Sequence, residues 1–212
     1  MKKLEISQEQ IMELLHKCYE LSMNGIPGAK SCNQLADEYL LKYREPDIAA
    51  RKMVNQQIAK CATTGFMTNI GGIITIPAGF PVNLLSVWYM QIQMIGTLAV
   101  IGGFDLTDDE VETLTYLCFV DASMANICKK AGIQVANKAA EKMVEKVPYS
   151  VLKKINNMVG YRMLTKMGST GTINLIKLVP LAGGFVGAGF DYYETDKIAK
   201  RAYKTFILKK LD

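Results

Sequence analysis

Between Cys61 and Phe104 the chain reads CATTGFMTNIGGIITIPAGFPVNLLSVWYMQIQMIGTLAVIGGF, with no acidic, basic or histidine side chain. Solvated loops and surface helices carry Lys and Glu, so a stretch of this kind must be covered, by the rest of the protein or by lipid. Half of the 212 residues are apolar and 21% are charged, which places the charges mainly before Cys61 and after Glu110. The expected architecture is therefore an apolar centre wrapped by charged helices, and the chain is long enough to bury a core.

Pro77 and Pro81 stop one straight helix from running through the uncharged stretch, because each lacks a backbone donor and clashes with the preceding turn. The expectation is a short glycine-rich helix, a bend over Pro77 to Phe80, and a long helix that opens at Pro81 and ends at Gly102-Gly103. Along that helix Asn83, Ser86, Met90, Gln93 and Thr97 fall at steps of three and four, giving one narrow stripe on an otherwise apolar cylinder.

The flanking segments also have helical period. Ser7 and Gln10 have capping-box spacing ahead of Ile11, Leu14, Leu15, Cys18 and Tyr19, and Asn24-Gly25 supplies a stop. A second helix ends near Tyr43, and Pro46 opens a third that runs to about Lys60. Thr107 and Glu110 repeat the capping spacing and predict one helix reaching Lys129-Lys130. Further helices are expected over about Ile133 to Lys146, from Pro148 to about Met167, and from Pro180 to the end. No run has the alternation of a strand. The predicted fold is all-α: a globular multi-helix bundle around a buried uncharged helical hairpin at about 61–104. Residues 1–45 form an N-terminal helical arm and 46–212 the main helical domain.

Several function classes lack their residues. A lone histidine, His16, excludes repeated His-based metal motifs and sits in an apolar-periodic helix, where a structural or solvated role is expected. Gly168-Ser169-Thr170-Gly171 lacks the Gly-Lys-Ser/Thr of a phosphate loop, and Gly184 to Gly189 follows no strand, so helix packing is the reading for both. The five cysteines form no CxxC and lie mostly in apolar runs, as small hydrophobes in a reducing compartment do. No catalytic residue, metal ligand or cofactor is assigned. An enzyme would need clustered acids, for instance Asp191 and Glu194 near Asp105.

The net charge of +5 is too small to indicate nucleic acid, and bases have no aromatic–basic interleaving to stack on. Near the C-terminus Lys197, Lys200, Arg201 and Lys204 share one helical face opposite Ile198, Ala202 and Phe206. That pattern is the one used by helices lying on anionic lipid. These four cations, with Trp88 and Tyr89, are the candidate membrane or ligand contacts. Glu5, Gln8, Glu9 and Gln10 break up any hydrophobic region after Met1-Lys2-Lys3, so a cytoplasmic location is expected, peripheral at the inner face of the membrane.

Thr64-Gly65, Gly71-Gly72, Pro77-x-x-x-Pro81, the apolar helix with Gln91, Gln93 and Met94, and Gly103-Phe104-Asp105 follow one another in an order that resembles the EcsC protein family. Downstream, Val179-Pro180, Gly183 to Gly187, Asp191, Ile198-Ala199 and Ala202 to Phe206 extend the resemblance, which covers roughly Ile48 to Leu208. The family commonly places an acid shortly before the second proline, where this chain has Gly79 and Phe80. The resemblance implies a bacterial helical protein with no established reaction, named after a gene neighbour of an ABC transporter. On it Gly71, Gly72, Pro77, Pro81, Pro180, Gly183, Gly187 and Asp191 are structural motif positions. The function expected is a non-enzymatic, peripheral membrane-associated accessory of a membrane or transport system, with an anionic membrane surface or a membrane protein as partner. The alternative is a soluble helical module binding an apolar ligand or a partner helix, and the third and least favoured reading is an uncharacterised hydrolase-type enzyme.

Overall fold

The computed structural model describes residues 6–62, 82–120, 123–133, 147–167 and 185–211. Eight α-helices account for most of them: α1 (Gln8–Asn24), α2 (Cys32–Tyr43), α3 (Pro46–Ala62), α4 (Val82–Ile101), α5 (Asp109–Phe119), α6 (Met124–Ala131), α7 (Tyr149–Met167) and α8 (Phe185–Ala202). A π-helical turn, Tyr203–Ile207, continues α8. No strand occurs among the described residues, and the all-α expectation holds.

Helix α4 is the hub. It contacts α1, α2, α3, α5, α8 and the π-turn. From Trp88 to Ala99 every residue is buried, so no side of this cylinder faces water. A helix apolar on all sides has no amphipathic solution other than enclosure, and here the charged helices supply it. The window Leu84–Ile101 is long and apolar enough to cross a membrane, yet 78% of it is buried inside the protein. Its polar groups are paired inside the fold, as buried amides and hydroxyls need to be. Gln91 Nε2 donates to Thr195 Oγ1 at 2.9 Å, Gln93 Nε2 donates to the Lys30 carbonyl at 2.6 Å, and Thr97 Oγ1 donates to the Gln93 carbonyl at 2.7 Å.

Two glycines set how closely neighbours approach. A Cβ on Gly96 would lie 2.8 Å from Cys32 Sγ, which lets α2 lie directly on α4. A Cβ on Gly102 would run into the Phe206 carbonyl oxygen, so the end of α4 and the π-turn touch backbone to backbone. Beside that contact Phe104 and Phe206 meet edge to face at 5.2 Å.

The helix ends explain most boundaries. Ser7 and Ser31 each close a full capping box, with Gln10 and Gln34 returning the second bond. Helices α1 and α2, placed in an N-terminal arm by the sequence, contribute Ile11, Leu14, Leu15, Cys32 and Ala36 to the same core as α4. The single helix expected from Thr107 to Lys130 is two. Ser123 Oγ accepts from the Asn126 amide and starts α6, while α5 stops at Phe119. Thr107 is not the cap of α5: its amide and hydroxyl both donate to Asp105 Oδ1 at 2.8 Å, and Asp108 takes the N-cap position. Asp105 stole the cap residue.

His16 lies at the α1–α5 contact, with Nδ1 2.6 Å from Glu112 Oε1. Tyr116 donates its hydroxyl to the same carboxylate oxygen, so this histidine joins two helices. The expected helix over Ile133 to Lys146, the bend at Pro77 to Phe80 and the first limb of the central hairpin lie mainly outside the described residues. So do Gly71, Gly72, Pro77, Pro81, Pro180 and Gly183.

Candidate functional site

Helix α3 and the C-terminal element run side by side, and the seam between them opens into a groove of about 460 Å³. Pro46 opens α3, and Asp47 sits in its first turn. Arg51 follows one turn later and is bonded to Asp47 through Nε at 2.9 Å. Val54 and Asn55 continue the α3 wall. The opposite wall is Asp196, Ala199, Lys200, Tyr203, Lys204 and Leu208. The groove is thus lined by the apolar side chains of Val54, Ala199, Tyr203 and Leu208 together with the cations Arg51, Lys200 and Lys204.

Arg51 stacks its guanidinium over the Tyr203 ring, 5.1 Å from the centroid, tying the walls together by a cation–π contact. Lys200 reaches back one turn to Asp196 at 2.7 Å. The Tyr203 hydroxyl is buried and makes no hydrogen bond. This tyrosine opens the π-turn, whose wider backbone closes with the Leu208 amide donating to the Tyr203 carbonyl at 3.1 Å. Single π-turns recur at functional sites because the extra residue re-aims side chains.

The four C-terminal cations predicted to share one face divide among three tasks. Lys200 and Lys204 line the groove. Arg201 points elsewhere: its Nε donates to the Cys118 carbonyl at 2.8 Å and bonds α8 to the end of α5. Lys197 lies over the Tyr193 ring at 4.3 Å. Helical spacing alone could not separate them, since tertiary partners decide where each long side chain goes. The sequence missed Arg51, because nothing local signals that α3 faces the C-terminus.

Trp88 and Tyr89 do not reach a surface. Tyr89 is fully buried, and Trp88 packs edge to face on Phe119 at 5.6 Å. Aromatics on a helix enclosed on every side become core, so neither offers a contact to lipid in this arrangement. Gly187 and Asp191 fall within the α8 backbone.

Cysteine chemistry is suppressed in the core. Burial pushes the Cys18 and Cys118 thiols up to about 12, and the Cys32 and Cys128 thiols up to about 11. A protonated buried thiol is a poor nucleophile and a poor metal ligand. Asp105, considered above as part of an acid cluster, is instead occupied in its own turn by Thr107, whose backbone hydrogen bond and hydroxyl hold the carboxyl below the usual range. Among the described residues no three His, Cys, Asp or Glu side chains gather as a metal site.

No curated protein and no solved structure matches the chain. A family model described as "EcsC protein family" matches residues 2–211, taking in α1 and α2 as well as the stretch from Ile48 onward. With nearly its whole length covered, the chain belongs to the EcsC protein family.

Proposed function

We propose that this protein is a non-enzymatic, peripheral membrane-associated accessory that meets an anionic lipid surface with the groove between α3 and α8. The observation that carries this reading is that Val54, Ala199, Tyr203 and Leu208 line the same groove as three cations, Arg51 from one wall and Lys200 and Lys204 from the other. A phospholipid is an anionic head on an apolar chain, and such a lining complements both parts. Each cation near an anionic membrane contributes about 1 kcal/mol, so three cations with two acids beside them give a weak, salt-sensitive attachment. The exposed Tyr193, with Lys197 over its ring, lies a turn away and suits the headgroup region, where aromatic rings with a polar tip settle.

The same reading makes α4 the support rather than the membrane element. Gln91 and Gln93 are bonded to Thr195 and to the Lys30 carbonyl on other elements, and exposing α4 to lipid would break those bonds. Vesicle flotation tests the proposal. Wild-type protein is expected to float with phosphatidylglycerol-containing vesicles at low salt, to be released at high salt, and to ignore phosphatidylcholine vesicles. Arg51→Glu with Lys204→Glu should weaken flotation by about fivefold per cation removed, at roughly 1 kcal/mol each, and further through the two acids introduced. Wild-type protein that stays unbound to anionic vesicles at low salt would remove the reading.

A further inference from the structure

The aliphatic side chains most open to water gather at one end of the molecule. Leu41 is 81% exposed in the last turn of α2, and Ile48 is 39% exposed in the first turn of α3. Arg44 and Glu45 alone separate these helices, so both side chains stand at one corner. Leu208, 47% exposed, arrives there from the far end of the sequence. Arg51, one turn along α3 from Ile48, stacks on Tyr203, and Leu208 lines the same groove as that pair. The other large exposed hydrophobics among the described residues are Tyr149, Tyr161 and Tyr193, each with a polar tip. Aliphatic side chains have no such tip, and three at one end mark a surface that something else covers.

Backbone strain sits at the same end. Among the described residues two that are not glycine have positive φ: Arg44 at 58° and Lys209 at 56°. Both are cations, one inside the corner and one directly after Leu208. A side chain with a Cβ is crowded in this conformation and glycine is not, so glycine would form either turn more easily. Arg44 is exposed and gains no burial in return. Strain retained at such a place points to a use for the side chain. Lys42, Lys52 and Lys210 are exposed nearby in the chain. Of the neighbouring acids, Glu38 is paired with Lys30 and Asp47 with Arg51, which leaves Asp37 and Glu45. An anionic bilayer sets negative headgroups above hydrocarbon, and aliphatic tips among cations complement both layers.

We propose that the α2–α3 corner, together with Leu208 to Lys210, is the end of the protein that enters an anionic lipid surface. Leu41, Ile48 and Leu208 are the inserted tips, and Arg44 and Lys209 are kept at strained positions for the headgroups. This inference rests on the membrane reading above and adds to it which end of the molecule goes in.

Full-length protein and phosphatidylglycerol-containing vesicles test it in two ways. Arg44→Gly with Lys209→Gly should weaken flotation by about fivefold per cation lost, while the denaturant midpoint does not fall, because glycine relieves both turns. Leu41→Trp should place an indole in the bilayer, quenched by lipid brominated on its acyl chains well beyond the wild-type level, since the one native tryptophan, Trp88, is buried. Tyr161→Trp, on α7, which packs on α1, α5 and α6, should show no added quenching. Wild-type protein that does not float removes the membrane reading and this inference with it. If the wild type floats, three results overturn this inference alone. The double glycine variant floats equally well, or it unfolds at lower denaturant, or the Leu41→Trp indole is quenched no more than that of Tyr161→Trp. The last result would leave this end for a protein partner.

Discussion

The centre around α4 and the seam between α3 and α8 both set polar groups beside apolar ones, and they behave in opposite ways. Around α4 glutamines, threonines and tyrosines are enclosed and bonded, and the helix has no charge to solvate. Along the seam apolar side chains stay open between cations. The difference teaches where stability and function separate: closing a polar group inside a fold fixes geometry, while leaving an apolar strip beside charges leaves something for a partner to cover.

If the centre is sealed, its thiols should be the most sensitive reporters. With Cys118 pushed up to about 12, its thiolate is scarce at pH 8 and its sulfur is out of reach. Site-resolved labelling should find Cys18 and Cys118 about a thousandfold slower, and Cys32 about a hundredfold slower, in the native protein than in denaturant, from the scarcity of thiolate alone. Rapid native labelling of Cys118 would mean that the hub opens, and the contrast with the groove would collapse. Next in size is Leu98→Ala, which removes a fully buried side chain facing several helices and should cost about 2–5 kcal/mol by denaturant unfolding.

Gly102→Ala should follow, at about 1–3 kcal/mol, because the added carbon meets a backbone carbonyl that cannot turn aside. Gly96→Ala should cost less than that, since Cys32 Sγ is a side-chain atom with some freedom; equal losses would mean that the two contacts are equally rigid. In the groove the expectation reverses. Lys204→Glu should leave stability within about 0.5 kcal/mol while changing vesicle binding, and a large loss would make this groove residue structural; Arg51→Glu, which loses the Tyr203 stack and the Asp47 bond, should cost about 1 kcal/mol. Smallest is the pH effect at Glu20. Its carboxyl is held below the usual range, first by the hydrogen bond from Lys17 and then by the charges of His16 and Lys17. A lowered value in the folded state gives stability present at neutral pH and lost as pH falls through that value. Glu20→Gln should therefore flatten only the acid limb of the stability profile, by no more than about 0.5 kcal/mol for an exposed pair.

Much of the helical layout was legible because local chemistry decides it. Ser7 with Gln10 announced α1, Pro46 announced α3, and the uncharged run announced α4 as the buried hub. What failed were competitions between nearby residues. Asp105 outbids α5 for Thr107, and Ser123 starts a new helix inside a continuous apolar pattern. The site was legible only in half. Lys200 and Lys204 stood out by spacing, but Arg51 is far away in sequence and joins them only through the packing of α3 on α8. Trp88 and Tyr89 misled because an aromatic residue on a helix apolar all round gives no hint of which side meets a neighbour.

The π-turn that ends α8 holds one more residue than an α-turn, and the chain uses that residue to serve two masters. Thr205 and Phe206 both turn inward, next to Gly102 and Cys118, while Lys204 lines the groove. Deleting a single residue here would restore an ordinary spiral and leave one position fewer to divide between the two sides. The chain could then keep its hydrophobic plug or its outward cation, but not both, which makes the length of this short segment as consequential as its composition.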